Sequence, residues 1–236
     1  MKVVVVTGGT KGIGLSIVKS FLEAGDMVFA VYSSDDAAAE RLRECGYENL
    51  RIKKCDVTDF GAVSDLYNDI YRECGALDVS VHSAGVEISK LLAMISPEEW
   101  NNVINVNLNG IYNCCKCAVK KMLLKSSGRI INISSAAAGN PLAGQAAYAA
   151  SKAGVNALTK ALAKETARLK ITVNAVAPGF TEGEMADKYY EKSIDQIPMR
   201  RFARADEIAS LVKFLASDEA GYITGSVYTI DGGMGA

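Results

Sequence analysis

Tyrosine stands four residues ahead of lysine twice in the sequence, at Tyr112–Lys116 and at Tyr148–Lys152. On a helix that spacing puts both side chains on one face. A nearby ammonium favours the phenolate and draws the tyrosine toward proton exchange at working pH. Chance alone places roughly one such pair in a chain with this content of tyrosine and lysine, so the motif needs company. Thirteen residues before Tyr148 is Ser135, at the end of the apolar run Arg129 to Ser134, whereas thirteen before Tyr112 is Glu99. Tyr112 also falls inside a helical stretch far from any strand end and is read as structural.

A second constellation lies near the N-terminus, where Val3 to Val6 run into Thr7-Gly8-Gly9-Thr10-Lys11-Gly12-Ile13-Gly14. Glycines at 8, 12 and 14 provide a tight turn, a backbone without Cβ near a pyrophosphate, and close packing of the helix whose N-terminus attracts it. A carboxylate at the end of the next strand would bind a ribose 2′-hydroxyl and repel a 2′-phosphate. The strand ends Val31-Tyr32-Ser33-Ser34, with no acid before Asp35. With Lys11 as a cation and Ser33 and Ser34 as donors, the expected cofactor is NADPH rather than NADH. Asp56, in Cys55-Asp56-Val57, is read either as a partner of the adenine amino group or as the N-cap of the next helix.

These residues need a frame that brings strand ends together, and the hydrophobic pattern supplies one. Strands are expected at Val3–Val6, Met27–Tyr32, Leu50–Lys54, Asp78–His82, Arg129–Ser134, Ile171–Val176 and Ser226–Ile230. Helical stretches lie around 13–22, 36–45, 60–74, 97–104, 108–124, 147–169 and 205–216. Strands alternating with helices imply an α/β fold: a single-domain, Rossmann-like, doubly wound seven-stranded parallel sheet with helices on both faces, spanning 1–236. In such sheets ligands bind at the carboxyl ends of the strands. The chain has 236 residues, 49% hydrophobic and 22% charged, with a formal net charge of −1, which excludes a disordered chain and a general polyanion binder. Six cysteines without a secretory leader pattern point to reduced thiols in the cytoplasm, and no apolar run is long enough to span a membrane. Cys114, Cys115 and Cys117 lack a fourth metal ligand within reach and are read as packing at a helix interface; no metal is expected.

Taken together, Gly8-x3-Gly12-x-Gly14, Asp56, Asn107, Ser135, Tyr148 and Lys152 resemble the short-chain dehydrogenase/reductase family, as do Asn174 to Gly179, Tyr222 to Gly225 and Asp231-Gly232-Gly233. The resemblance covers nearly the whole chain. It implies that Tyr148 delivers a proton to a carbonyl oxygen while a nicotinamide delivers hydride to carbon. Ser135 would bond that oxygen, Lys152 would hold the nicotinamide ribose and lower the pKa of Tyr148, and Asn107 would hold a relay water. Cofactor contacts would run along Gly8, Thr10, Lys11, Gly12, Ile13 and Gly14, then Tyr32, Ser33, Ser34, Asp56 and Val57. Nearer the nicotinamide they would involve Ala84, Gly85, Tyr148, Lys152, Pro178 and Gly179. The family's usual threonine falls on Gly183, so Thr181 is the substitute. His82-Ser83 replaces the common Asn-Asn, and His82 is read as a structural hydrogen bond or, alternatively, a base.

The implied activity is NADPH-dependent reduction of a ketone to a secondary alcohol, most similar to the subgroup acting on 3-oxoacyl thioesters of acyl carrier protein or CoA. Two alternatives stand beside it: a ketoreductase of a steroid, sugar or secondary metabolite, and a non-catalytic dinucleotide-binding regulator. A homotetramer or homodimer is implied, without nucleic acid or membrane partners. A substrate lid is expected over about 182–198, with acids Glu182, Glu184, Asp187, Glu191 and Asp195 against Lys188 and Lys192; Tyr189 and Tyr190 would pack on an acyl chain or face the core. Lys125, Arg129, Arg168 and Lys170 are read as flanking the active-site elements, either as a docking patch for an acidic carrier protein or as solvated helix ends.

Overall fold

A computed structural model describes residues 1–183 and 194–236. Its sheet contains β1 (Val3–Thr7), β2 (Met27–Tyr32), β3 (Leu50–Lys54), β4 (Val79–His82), β5 (Gly128–Ile133), β6 (Ile171–Pro178) and β7 (Val227–Ile230). All are parallel, in the order β3-β2-β1-β4-β5-β6-β7. Chain order reverses between β1 and β4, which is where a doubly wound sheet opens its ligand crevice. The described helices are α1 (Gly12–Glu23), α2 (Asp36–Arg43), α3 (Phe60–Cys74), α4 (Pro97–Ile104), α5 (Gly110–Met122), α6 (Ala146–Thr166) and α7 (Ala205–Leu215).

The unbroken valine run of β1 is explained by burial on both faces. Alternate residues point to opposite sides of a strand. Val4 and Val6 join Ile17, Val18 and Phe21 of α1 and Ile208, Val212 and Leu215 of α7. Val3 and Val5 join Val63, Leu66 and Ile70 of α3, Ile111 of α5 and Val155 of α6. Each such side chain, removed from water on its own face, stabilises the fold by about 1.5–3 kcal/mol. Cys114, Cys115 and Cys117 lie within the second of these layers, and no metal-binding cluster occurs among the described residues.

The elements depart from the sequence reading chiefly where chemistry is carried. β6 runs two residues further, to Pro178, placing Gly179 directly at the sheet edge. The 108–124 helix instead begins as a π-turn over Asn105–Asn109, continuous with α4 and α5. One extra residue in that turn re-aims the side chains on it, an effect that apolar periodicity does not register. The lid expected over about 182–198 falls largely on 184–193, outside the described residues. Its stems are joined: Thr181 bridges Ala203, Glu182 N–H donates to the Ala203 carbonyl at 2.9 Å, and Phe180 stacks on Phe202 at 5.2 Å.

Candidate active site

Ser135 follows β5 and heads the short turn Ala136–Ala138. Its Oγ accepts from the Ala137 N–H at 3.2 Å, and its hydroxyl lies close enough to Tyr148 to draw the phenol's pKa down. Tyr148 occupies the first turn of α6 and Lys152 the next, as the four-residue spacing requires. The Lys152 ammonium lies 5.7 Å from the Tyr148 ring centre and donates to the Ile133 carbonyl at 2.8 Å. Lys152 is 4% exposed, and burial lowers its pKa to about 8. Three side chains from two elements thus meet where β5 ends.

One expectation is reversed here. Lys152 was to lower the pKa of Tyr148, but burial dominates and raises the phenol to about 12, with the Ser135 hydrogen bond opposing and the Glu87 charge reinforcing the rise. A phenol held protonated at neutral pH is a proton donor rather than a base. The second pair behaves differently: Tyr112 is exposed on α5, and Lys116 Nζ meets its hydroxyl at 3.1 Å, on the outside of the molecule.

Asn107 is fully buried on the π-turn. Its Nδ2 donates to the Val86 carbonyl at 2.9 Å and to Ser151 Oγ at 3.1 Å, and its Oδ1 accepts from the Val86 N–H at 2.8 Å. Both amide protons are committed, so the side chain acts as a clamp on the loop after β4. Ser151, which the sequence reading missed, passes the contact to the Tyr148 carbonyl at 2.6 Å. Its adjacency to Lys152 was the available signal. A Cβ on Gly85 would stand 3.3 Å from Asn107 Oδ1 and 3.6 Å from Lys152 Nζ.

The glycine loop fits a dinucleotide pyrophosphate. A Cβ on Gly8 would lie 2.9 Å from Ala84 Cα, one on Gly14 2.1 Å from the Gly8 carbonyl oxygen, and one on Gly12 would meet nothing within 4 Å. Thr10 is buried, and Ile13 packs toward the α1 layer. α1 starts at Gly12 with no side-chain cap and no acid in its first turn, leaving its N–H groups to an anion. At the adenosine end the picture is less cationic than expected. Lys11 Nζ is paired with Asp35 at 2.8 Å, and the Tyr32 hydroxyl donates to Asp36, which also holds Lys54. Ser33 and Ser34 are exposed at the sheet edge.

Asp56 does not cap α3; Asp59 does, accepting from the Ala62 N–H, while Asp56 Oδ1 accepts from both the N–H and the hydroxyl of Thr58. Val57 turns its side chain inward against Gly110. Ala84 N–H reaches Thr7 Oγ1 at 3.4 Å, Gly179 abuts Asp231, and Thr181 donates to the Gly179 carbonyl at 3.2 Å. The basic group is displaced from its expected place. Lys125, Arg129 and Lys170 lie at the amino ends of β5 and β6, and Arg168 lies in the turn just before β6. Arg129 is tied to Ser217 and Asp218. A strand of that length separates them from Ser135 by about 20 Å, so within one chain they do not flank the site.

His82 resolves as structural. Its Nε2 meets Ser80 Oγ at 2.8 Å and the Tyr67 hydroxyl at 3.3 Å, and Nδ1 meets Asn132 Oδ1 at 2.8 Å; Asn132 in turn donates to Thr159 on α6. Burial lowers its pKa to about 4. Between pH 6.5 and 4 the unfolded chain therefore binds the extra proton, so stability falls as pH falls through that window. The loss from pH 7 to pH 5 should be about 2 kcal/mol, read by denaturant unfolding. His82→Asn, which cannot titrate, should show a shallower slope; an equal slope would remove His82 as its cause.

A doubly wound parallel sheet with a phosphate loop at its first crossover defines a dinucleotide-binding α/β protein. A family model described as enoyl-(acyl carrier protein) reductase matches residues 8–235. The chain belongs to the short-chain dehydrogenase/reductase family and is an oxidoreductase using a nicotinamide dinucleotide. It is 42% identical over 243 residues to 3-oxoacyl-[acyl-carrier-protein] reductase FabG of Staphylococcus aureus (strain N315), covering 99% of this chain and 98% of that protein. It is 40% identical to the proteins of that name from Vibrio harveyi and Thermotoga maritima, with 99% of this chain and 97% of each relative covered.

Proposed function

We propose that the chain reduces the ketone of a 3-oxoacyl thioester, carried on acyl carrier protein or CoA, to the 3-hydroxy product with NADPH. The observation that carries the reading is the grouping of Ser135 and Tyr148 at the end of β5 beside the buried ammonium of Lys152, 5.7 Å from the Tyr148 ring centre. The relatives named above support the substrate. When bound, the nicotinamide supplies hydride to the carbonyl carbon. Tyr148 gives its proton to the carbonyl oxygen, and Ser135, oriented by Ala137, donates to the same oxygen and stabilises its developing charge. Lys152 holds the nicotinamide ribose; Asn107 fixes the wall at Val86. Gly8, Gly12 and Gly14 seat the pyrophosphate, Asp56 the adenine, and Gly85, Gly179 and Thr181 the nicotinamide end.

The enzyme works as one catalytic domain with a lid over about 182–198, as a homodimer or homotetramer in the cytoplasm. No helix among the described residues is long and apolar enough to cross a membrane. The deciding experiment compares NADPH oxidation on acetoacetyl thioester, a 3-oxoacyl carrier protein, the matching enoyl thioester and a panel of steroid and sugar ketones. Preference for the oxoacyl compounds is expected; turnover confined to the others would overturn the reading.

NADPH preference rests on Lys11, Ser33 and Ser34, and Asp35 works against it by neutralising Lys11. Asp35→Asn keeps a helix-capping side chain and frees the ammonium, so the ratio of kcat/KM for NADPH over NADH should rise about threefold. An unchanged ratio would take Lys11 out of cofactor choice.

A further inference from the structure

The loop after β4 carries a carboxylate that none of these roles uses. Because Asn107 holds both backbone groups of Val86, the next residue, Glu87, departs from a fixed point. Glu87 Oε1 accepts from Gln145 Nε2 and from Ser89 Oγ, each at 3.1 Å. Gln145 is the N-cap of α6, three residues before Tyr148, and its Oε1 accepts from the Leu142 N–H at 3.0 Å. Lys90 N–H donates to the Gly144 carbonyl at 3.0 Å. Two loops, 86–90 and 142–145, are thereby laced together over the first turn of the helix bearing Tyr148.

Glu87 is half-buried, and among the described residues no lysine or arginine is paired with it; neighbouring Lys90 pairs with Glu99. α6 has no acid in its first turn, so Glu87 supplies the negative charge that this helix end favours. Among the described residues, the charged groups that bear on Tyr148 are Lys152 from α6 itself and Glu87 from the loop after β4, with the neutral Ser135 hydroxyl at the end of β5 beside them. Of these, Glu87 is the anion.

We propose that Glu87 sets charge selectivity at this site: held over the Tyr148 turn by Gln145, its carboxylate turns away 3-oxo substrates bearing a free carboxylate and admits the same ketone as a neutral ester or thioester. This rests on Tyr148 donating to a substrate carbonyl. A substrate carboxylate would bring a second negative charge beside a half-buried carboxylate, which costs about tenfold in transition-state binding, while a thioester brings none. The same charge adds to the burial that raises the Tyr148 phenol.

The test measures kcat/KM for acetoacetate and for ethyl acetoacetate with the full chain, Glu87→Gln and Glu87→Asp. Glu87→Gln keeps an acceptor for Gln145 and removes the charge. It should hold the ester within about twofold and raise the free acid about tenfold, whereas Glu87→Asp should stay near the unmodified chain. An unchanged ratio of acid to ester in Glu87→Gln overturns the proposal. A second readout needs no turnover: NMR of isotope-labelled tyrosine, with the Tyr148 signal identified by its loss in Tyr148→Phe. In Glu87→Gln this signal should titrate at lower pH, and an unmoved titration also counts against Glu87. If the unmodified chain reduces neither compound but turns over acetoacetyl thioester, the oxoacyl reading stands and the titration decides whether the Glu87 charge reaches Tyr148; if it reduces none of the three, the oxoacyl reading fails while the titration still decides on Glu87.

Discussion

Tyr148→Phe should lower kcat for ketone reduction by about a thousandfold or more while leaving affinity for the nicotinamide dinucleotide within a few fold. The reasoning starts from burial. The ring is partly buried at the head of α6 and its phenol is held protonated to about 12, so phenylalanine fills the same space and removes one hydroxyl. No backbone has to move, because the helix turn is fixed elsewhere, by Ser151 on the Tyr148 carbonyl and by Lys152 on Ile133. What disappears is the proton donor and the acceptor of the Ser135 hydroxyl. Ser135 alone can still polarise a carbonyl oxygen, so a small residual rate is expected rather than none. Cofactor affinity is read by fluorescence titration and kcat by cofactor absorbance. Activity near that of the unmodified chain would remove Tyr148 from the proton-transfer role, and a parallel collapse of cofactor binding would show that the substitution had disturbed the loop.

How far the sequence could carry this picture depended on the range of the interactions. β2, β3, α3 and α4 have the bounds expected from pattern alone, because two-sided burial of Val28 to Val31 and the α3 stripe of Val63, Leu66 and Ile70 leave strong periodic signals. Ser135, Tyr148 and Lys152 could be grouped because strand-end position and helical spacing are both local. Asn107 could be named but not understood: its orientation depends on a π-turn and on partners at Val86 and Ser151, 21 and 44 residues away. The charge balance at the adenosine end was misjudged for a related reason. Lys11 and Asp35 are 24 positions apart and meet only because β1 and β2 are neighbours in the sheet. Glu87 left no local signal, since its neighbour Gln145 comes from a loop on the far side of α5 in chain order. The basic residues lie at the opposite end of β5 from Ser135, a placement that chain order already implied, because ligands bind at the carboxyl ends of parallel strands.

The phosphate loop allows a prediction that separates folding from binding, because its glycines are there for different reasons. In Gly14→Ala the new methyl group would sit 2.1 Å from the Gly8 carbonyl oxygen and 2.8 Å from its carbon, both backbone atoms that cannot swing aside. α1 must therefore lift away from the β1 turn, opening the layer in which Ile17, Val18 and Phe21 are fully or almost fully buried. Overpacking of this severity costs on the order of 3 kcal/mol, and displacement of the helix N-terminus should weaken dinucleotide binding at least a hundredfold. Gly12→Ala meets nothing within 4 Å, and its cost is the positive φ of 50°, about 1 kcal/mol. Yet the open space beside Gly12 is at the head of α1, where the pyrophosphate is expected, so this variant should stay folded and still bind the cofactor about tenfold more weakly. Denaturant midpoints and cofactor titrations on both variants check the contrast. If Gly14→Ala is as stable as the parent, the tight contact with Gly8 is not what fixes α1; if Gly12→Ala binds the cofactor normally, the pyrophosphate does not pass over that face of the loop.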